Sequence, residues 1–198
     1  MLQPFGSSAF RLLIFFTFFM IFDLKLSLSK DQAEFSDELS GLDLVAGKDL
    51  TIQLSKAKHG TVIIFLSSKC PCSNSHLSAL NQLAKKFNDD GFSFVGVHSN
   101  VNEDYNESRQ YFQSSKLSFP VIQDVNAKIA DTYEAFKTPH VFVVSPQRKM
   151  LYQGGVDDSK VMQKAKRQYL LEALLAIRNG KEPAEKNVRV LGCEIKRP

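Results

Sequence analysis

Between residues 61 and 87 the hydrophobic pattern changes period, and it changes at a cysteine–proline pair. Thr61-Val62-Ile63-Ile64-Phe65-Leu66 is a near-continuous apolar run rich in β-branched residues, the mark of a central strand covered on both faces. From Ser73 onward Leu77, Leu80, Leu83, Ala84 and Phe87 recur at steps of three and four, the stripe of an amphipathic helix. Asp90-Gly91 supplies its stop. Ser68-Lys69-Cys70-Pro71-Cys72-Ser73 lies at the switch. Pro71 suits the first helical position, where its missing N–H leaves no bond unmade. Cys70 then caps the helix, where unsatisfied N–H groups and the positive end of the helix dipole favour thiolate over thiol. The thiolate is the reactive form, so the position makes a nucleophile. Lys69 adds a nearby cation that could tune it. A buried structural cysteine is the competing reading.

The rest of the chain continues the alternation. Leu42–Leu54 alternates around Gly47-Lys48 and suggests a hairpin. Phe92–His98 reads as a second buried strand, parallel to the first through a right-handed crossover. Helices are expected over 102–116 and 126–136, and a long one over 159–179 that stops at Gly180. Val141–Val144 and Met150–Tyr152 read as strands joined by the turn Pro146-Gln147-Arg148-Lys149. The class is α/β, a central mixed sheet flanked by helices.

Arg11 precedes an apolar run, Leu12–Phe22, that Asp23 and Lys25 interrupt. A bilayer-spanning helix needs about 20 such residues. A cation, a short apolar run and the small residues of Ser27-Leu28-Ser29 fit a secretory signal peptide. The alternative is an uncleaved membrane anchor and tether, with Lys25 snorkelling. Residues 1–29 are therefore read as signal or anchor, 30–40 as a linker, 41–180 as the folded domain and 181–198 as a C-terminal tail carrying Cys193. Export places the domain in an oxidising compartment, periplasmic or extracellular, where cysteine pairs do redox work. The formal net charge of +4 is too mild to argue for nucleic acid, which asks for a strongly basic stripe.

Three cysteines, Cys70, Cys72 and Cys193, make neither a disulfide scaffold nor a zinc ribbon. In a Cys-x-x-Cys motif the second sulfur comes round beneath the first, but Ser73 occupies that place. Cys72 sits one residue early, and helical residues two apart do not face each other. The partner that resolves Cys70 is Cys72, in a strained and easily reduced pair, or Cys193; a spare thiol is the other reading of Cys193. His76 falls one turn after Cys72. It could tune the thiol, or join Cys70 and Cys72 as ligands to a soft metal such as Cu(I), or be an ordinary surface histidine. In Thr138-Pro139-His140 a proline stands directly before a buried strand, which a cis bond beside an active site or a simple strand entry would explain.

These residues resemble the redoxin branch of the thioredoxin superfamily, which includes the alkyl hydroperoxide reductase / thiol-specific antioxidant proteins and thiol–disulfide oxidoreductases. The resemblance runs from about Leu42 to Arg178. It rests on the stretch from Val62 to Pro71, on Phe94-Val95-Gly96-Val97, Phe119-Pro120-Val121-Ile122-Gln123-Asp124, Thr138-Pro139-His140-Val141-Phe142-Val143-Val144, and the closing segment Leu151 to Asp158. It implies a thioredoxin-like fold, Cys70 as the attacking cysteine, Pro139 as a cis-proline facing it, and the Thr138 backbone pairing with a bound peptide. Two departures stand out. A thioredoxin carries Trp-Cys-Gly-Pro-Cys. A peroxiredoxin carries Pro-x-x-x-Thr-x-x-Cys, where this chain has Ile63 and Ser67. The expected function is an exported thiol–disulfide oxidoreductase acting on cysteine-containing proteins with a redox partner protein and no organic cofactor. A thiol peroxidase and a Cu(I) carrier are the alternatives.

Overall fold

A computed structural model describes residues 35–198; the apolar run read as signal or anchor lies outside them. The described chain opens with an antiparallel hairpin, β1 (Glu38–Asp43) and β2 (Lys48–Gln53). Gly47, at φ +70°, makes the turn between them. Three residues expected as linker, Glu38 to Ser40, thus belong to a strand. The reason is apolar: Leu39 is buried in the core and Phe35 stacks on Tyr133 with ring centroids 4.7 Å apart.

The apolar run forms β3 (Gly60–Leu66), buried along its whole length. Helix α1 (Pro71–Asn88) follows it, and β4 (Phe92–His98) returns parallel to it in the register Gly60↔Phe92 to Leu66↔His98. After α2 (Tyr105–Ser114) comes β5 (Val121–Gln123), parallel to β4. A short α3 (Lys128–Thr132) leads to β6 (Lys137–Thr138), β7 (His140–Val144) and β8 (Met150–Gly154). Helix α4 (Tyr169–Arg178) and a two-residue β9 (Cys193–Glu194) complete the chain. The main sheet has the order β2-β1-β5-β4-β3-β7-β8, with β7 antiparallel to β3 and to β8.

The period-two alternation of β3 splits the core in two. Val62, Ile64 and Leu66 pack with Leu77, Leu80, Ala84 and Phe87 of α1 and with Leu170, Ala173, Leu174 and Ile177 of α4. Ile63 and Phe65 pack on the opposite side with Val95, Val97, Ala130, Tyr133 and Phe142. The sheet is covered on both faces, as a run without polar alternation requires.

Three expected helices are shorter than their sequence pattern suggests. Asp104 caps α2 by accepting from the Asn106 and Glu107 amides, so the helix starts at Tyr105. The expected helix over 126–136 is broken where Asn126 and Ala127 turn left-handed, at φ 59° and 56°. There the Asp124 carboxylate accepts from the Ile129 and Ala130 amides, both at 2.9 Å, and starts α3. The expected long helix over 159–179 keeps only its leucine-bearing half. In the polar half, Asp158 accepts from the Lys166 and Arg167 amides and Ser75 Oγ accepts from Met162, which satisfies the backbone outside a helix.

The expected C-terminal tail is part of the fold. The Val188 amide donates to Gln153 O at 3.1 Å and the Ile195 amide to Phe136 O at 3.0 Å. Strand β9 pairs antiparallel with β6, Lys137↔Glu194 and Thr138↔Cys193. Val188, Val190 and Ile195 are buried, so three apolar anchors carry a segment whose basic side chains remain at the surface. Among the described residues no helix is long and apolar enough to cross a membrane.

Candidate active site

Strand β3 ends at Leu66, and the four residues before α1 bring Cys70 to the helix cap. Its backbone is extended, φ −81° and ψ 115°, Pro71 opens the helix, and the Ser73 amide donates to Cys70 Sγ at 3.4 Å. The Thr138–Pro139 bond is cis. It carries the Thr138 carbonyl to 3.1 Å from Cys70 Sγ, a bond the thiol form donates. Cys70 is only 3% exposed. Burial pushes its thiol up, but hydrogen bonding with the Cys193 side chain and with the Ser73 and Cys193 backbone outweighs that, and the net direction is below the ordinary thiol value.

Cys193 is the neighbouring thiol that the fold brings in from furthest along the chain. The Sγ atoms of Cys70, Cys72 and Cys193 all lie within 4.8 Å of one another, and none is in a disulfide. Burial, with the adjacent Cys70 next, pushes the Cys193 thiol up to about 12. Cys72 moves upward for the same two reasons. The backbone edge that family resemblance gives to a bound peptide, at Thr138, is occupied by the chain's own Cys193 through the β6–β9 pairing. Gly192 allows this closeness, since a Cβ there would stand 2.1 Å from the Thr138 carbonyl oxygen.

His76 and Lys69 do not reach the sulfurs. His76 is buried, with Nδ1 2.7 Å from the Cys72 carbonyl and Nε2 3.0 Å from Asp157 Oδ2. Both ring nitrogens face acceptors, so the ring braces the first turn of α1 against the segment after β8. The expected ligand set of Cys70, Cys72 and His76 is not what the fold assembles; Cys193 stands where the histidine was expected. Lys69 Nζ is held 2.7 Å from Glu107, both side chains exposed.

One contributor had no signal in the sequence. The Glu103 carboxylate lies beneath the loop that presents Cys70. It accepts from the Ser67 and Ser68 hydroxyls, from the Ser68 amide at 2.8 Å, from Asn100 Nδ2 at 2.7 Å and from His98 Nε2 at 3.1 Å. Ser67 Oγ in turn accepts from the Cys70 amide at 2.9 Å. Burial pushes the Glu103 carboxyl up, and the bonds from His98, Ser67 and Ser68 overcome it and hold it at about 2. Glu103 is therefore a buried anion that ties the end of β4 to the loop after β3.

The chain is similar to several known proteins. Thiol-disulfide oxidoreductase ResA of Bacillus subtilis (strain 168) is 28% identical over 106 residues, 53% of this chain and 57% of ResA. An uncharacterized conserved protein from Geobacillus kaustophilus superposes with a TM-score of 0.74 at 24% identity, over 85% of this chain and 91% of its own. The thioredoxin domain of a thiol-disulfide oxidoreductase from Bacteroides vulgatus gives 0.51 at 18% identity, over 63% and 89%. The two structural likenesses establish the fold, which is thioredoxin-like. The sequence model of the AhpC/TSA family matches residues 36–153, which span β1 to β8 and include Cys70, Cys72 and Pro139, and the chain belongs to the AhpC/TSA family.

Proposed function

We propose that the chain is an exported thiol–disulfide oxidoreductase in which Cys70 attacks and Cys193 resolves. The observation that carries the reading is Cys70 at the cap of α1, favoured as thiolate, with Cys193 Sγ within 4.8 Å on a separate strand. The relationship to ResA, a thiol-disulfide oxidoreductase by name, supports the reaction class. Export rests on the N-terminal pattern of Arg11, the short apolar run and Ser27-Leu28-Ser29.

The cycle moves two electrons. The Cys70 thiolate attacks one sulfur of a substrate disulfide, the S–S bond breaks, and a mixed disulfide forms as the first substrate thiolate leaves and takes up a proton. Cys70 then carries no charge, so its share in holding the Cys193 proton is gone, while burial, the larger cause, remains. Cys193 loses its proton and attacks Cys70 Sγ, and the second substrate thiolate departs. The product is a Cys70–Cys193 disulfide, which a dithiol partner protein reduces. Cys72 is the weaker resolving candidate, since it lies two positions from Cys70 in the first turn of the same helix.

Cys70→Ser should abolish insulin reduction. Cys193→Ser should accumulate the mixed disulfide, and mass spectrometry of the oxidised protein should show a Cys70–Cys193 linkage. A Cys70–Cys72 linkage, or full turnover by Cys70→Ser, would remove the proposal. Export predicts that the cell-derived protein begins near residue 30.

A further inference from the structure

We infer that the reduced Cys70, Cys72 and Cys193 together form a three-sulfur site for one soft monovalent metal ion of the Cu(I) class. The three thiols come from the cap of α1, its first turn and β9, and their sulfurs all lie within 4.8 Å of one another. Three thiolates each about 2.3 Å from a shared ion sit about 4 Å apart, so the cluster is within about an ångström of that spacing. An all-sulfur set selects soft ions over hard ones. Among the described residues no histidine or carboxylate joins the group. His76 is turned to the Cys72 carbonyl and Asp157, which leaves incomplete the fourth position a structural zinc site needs. Cys70 is buried, while Cys72 and Cys193 are half-buried. An ion therefore enters past the two outer sulfurs and reaches a shielded inner one. Each thiol that binds releases its proton to solvent. The ion uses the same atoms as disulfide exchange, so the two states exclude each other, but the site needs only reduced sulfurs and does not depend on turnover.

The test is an anaerobic titration of the reduced full chain with Cu(I) against the chelator bicinchoninate, with circular dichroism confirming the fold of each variant. One ion per chain is expected. Cys72→Ser and Cys193→Ser should each weaken binding by more than about 100-fold, the upper range for loss of an outer-shell partner. His76→Gln should leave affinity unchanged, and X-ray absorption should find three sulfur neighbours. Native affinity in Cys193→Ser, or nitrogen in the coordination shell, would overturn the inference.

Discussion

At the scale of single residues the decisive quantity is the proton on Cys70. Its neighbours favour the thiolate, whereas burial and Cys70 itself push Cys193 up to about 12. Alkylation with iodoacetamide, followed by mass spectrometry of each cysteine, should therefore show Cys70 reacting with a midpoint pH below the ordinary thiol value and Cys193 far above it. Because Cys70 is buried, the test is the order of midpoints and not the absolute rate; equal or inverted midpoints would contradict the assignment. Glu103 makes a separate prediction. Its carboxyl is at about 2 in the fold against 4.5 for the free group. The lowered value means its contribution is complete above pH 4.5 and is lost as pH falls toward 2. At about 1.4 kcal/mol per pKa unit, that loss is on the order of 3 kcal/mol. The stability difference between the native protein and Glu103→Gln, from denaturant melts, should shrink across that window; a difference independent of pH would show that the carboxylate does not hold the loop. Cys70 and Pro71 were legible because capping is local chemistry, written in adjacent positions. Glu103 was not, because its partners Ser67, Ser68 and His98 reach it only once β3 and β4 lie side by side.

At the scale of elements, β3, β4, α1 and the β7–β8 hairpin follow from periodicity, since each buries a face large enough to impose one. The ends of α2, α3 and α4 do not follow, because they are set by side chains such as Asp104, Asp124 and Asp158 that compete for backbone donors. Strand β9 is the extreme case. Two residues carry no period, and their place is decided by Ile195 in the core beneath and by Gly192 against Thr138. Gly192→Ala tests that docking. Its Cβ would clash with the Thr138 carbonyl oxygen, a backbone atom, so the β6–β9 pairing must shift to admit it. The expected result is faster alkylation of Cys70 and loss of the Cys70–Cys193 linkage on oxidation, with the main sheet intact by circular dichroism. Unchanged Cys70 protection would mean that something other than β9 covers the sulfur. A companion substitution, Ile195→Ala, should cost about 2–5 kcal/mol, the usual range for emptying a buried isoleucine, and should loosen the same cover without touching a sulfur.

At the scale of the whole molecule, the proposed disulfide joins the end of the central strand to a segment near the C-terminus. A bond between positions 70 and 193 closes a loop of more than one hundred residues. In the chain-entropy account such a closure raises stability by up to about 5 kcal/mol, by restricting the unfolded chain. Opposing it, oxidation removes the hydrogen bonds and helix-end field that favour the Cys70 thiolate. The closure of so long a loop sets the sign expected of the balance. The oxidised protein should therefore melt higher than the reduced one, by about 2–4 °C per kcal/mol for a chain of this size. The comparison is cleanest in Cys72→Ser, which leaves a single pairing available. Coincident melting curves, with the crosslink verified by mass spectrometry, would mean that the segment from Val188 to Ile195 is already bound so firmly that tying it adds nothing. By the same cycle, a fold that gains from the crosslink also stabilises it against reduction. The protein would then hold its disulfide and pass electrons to substrates more readily than it takes them, acting as a reductant of partner disulfides and depending on a stronger dithiol donor for its own recovery.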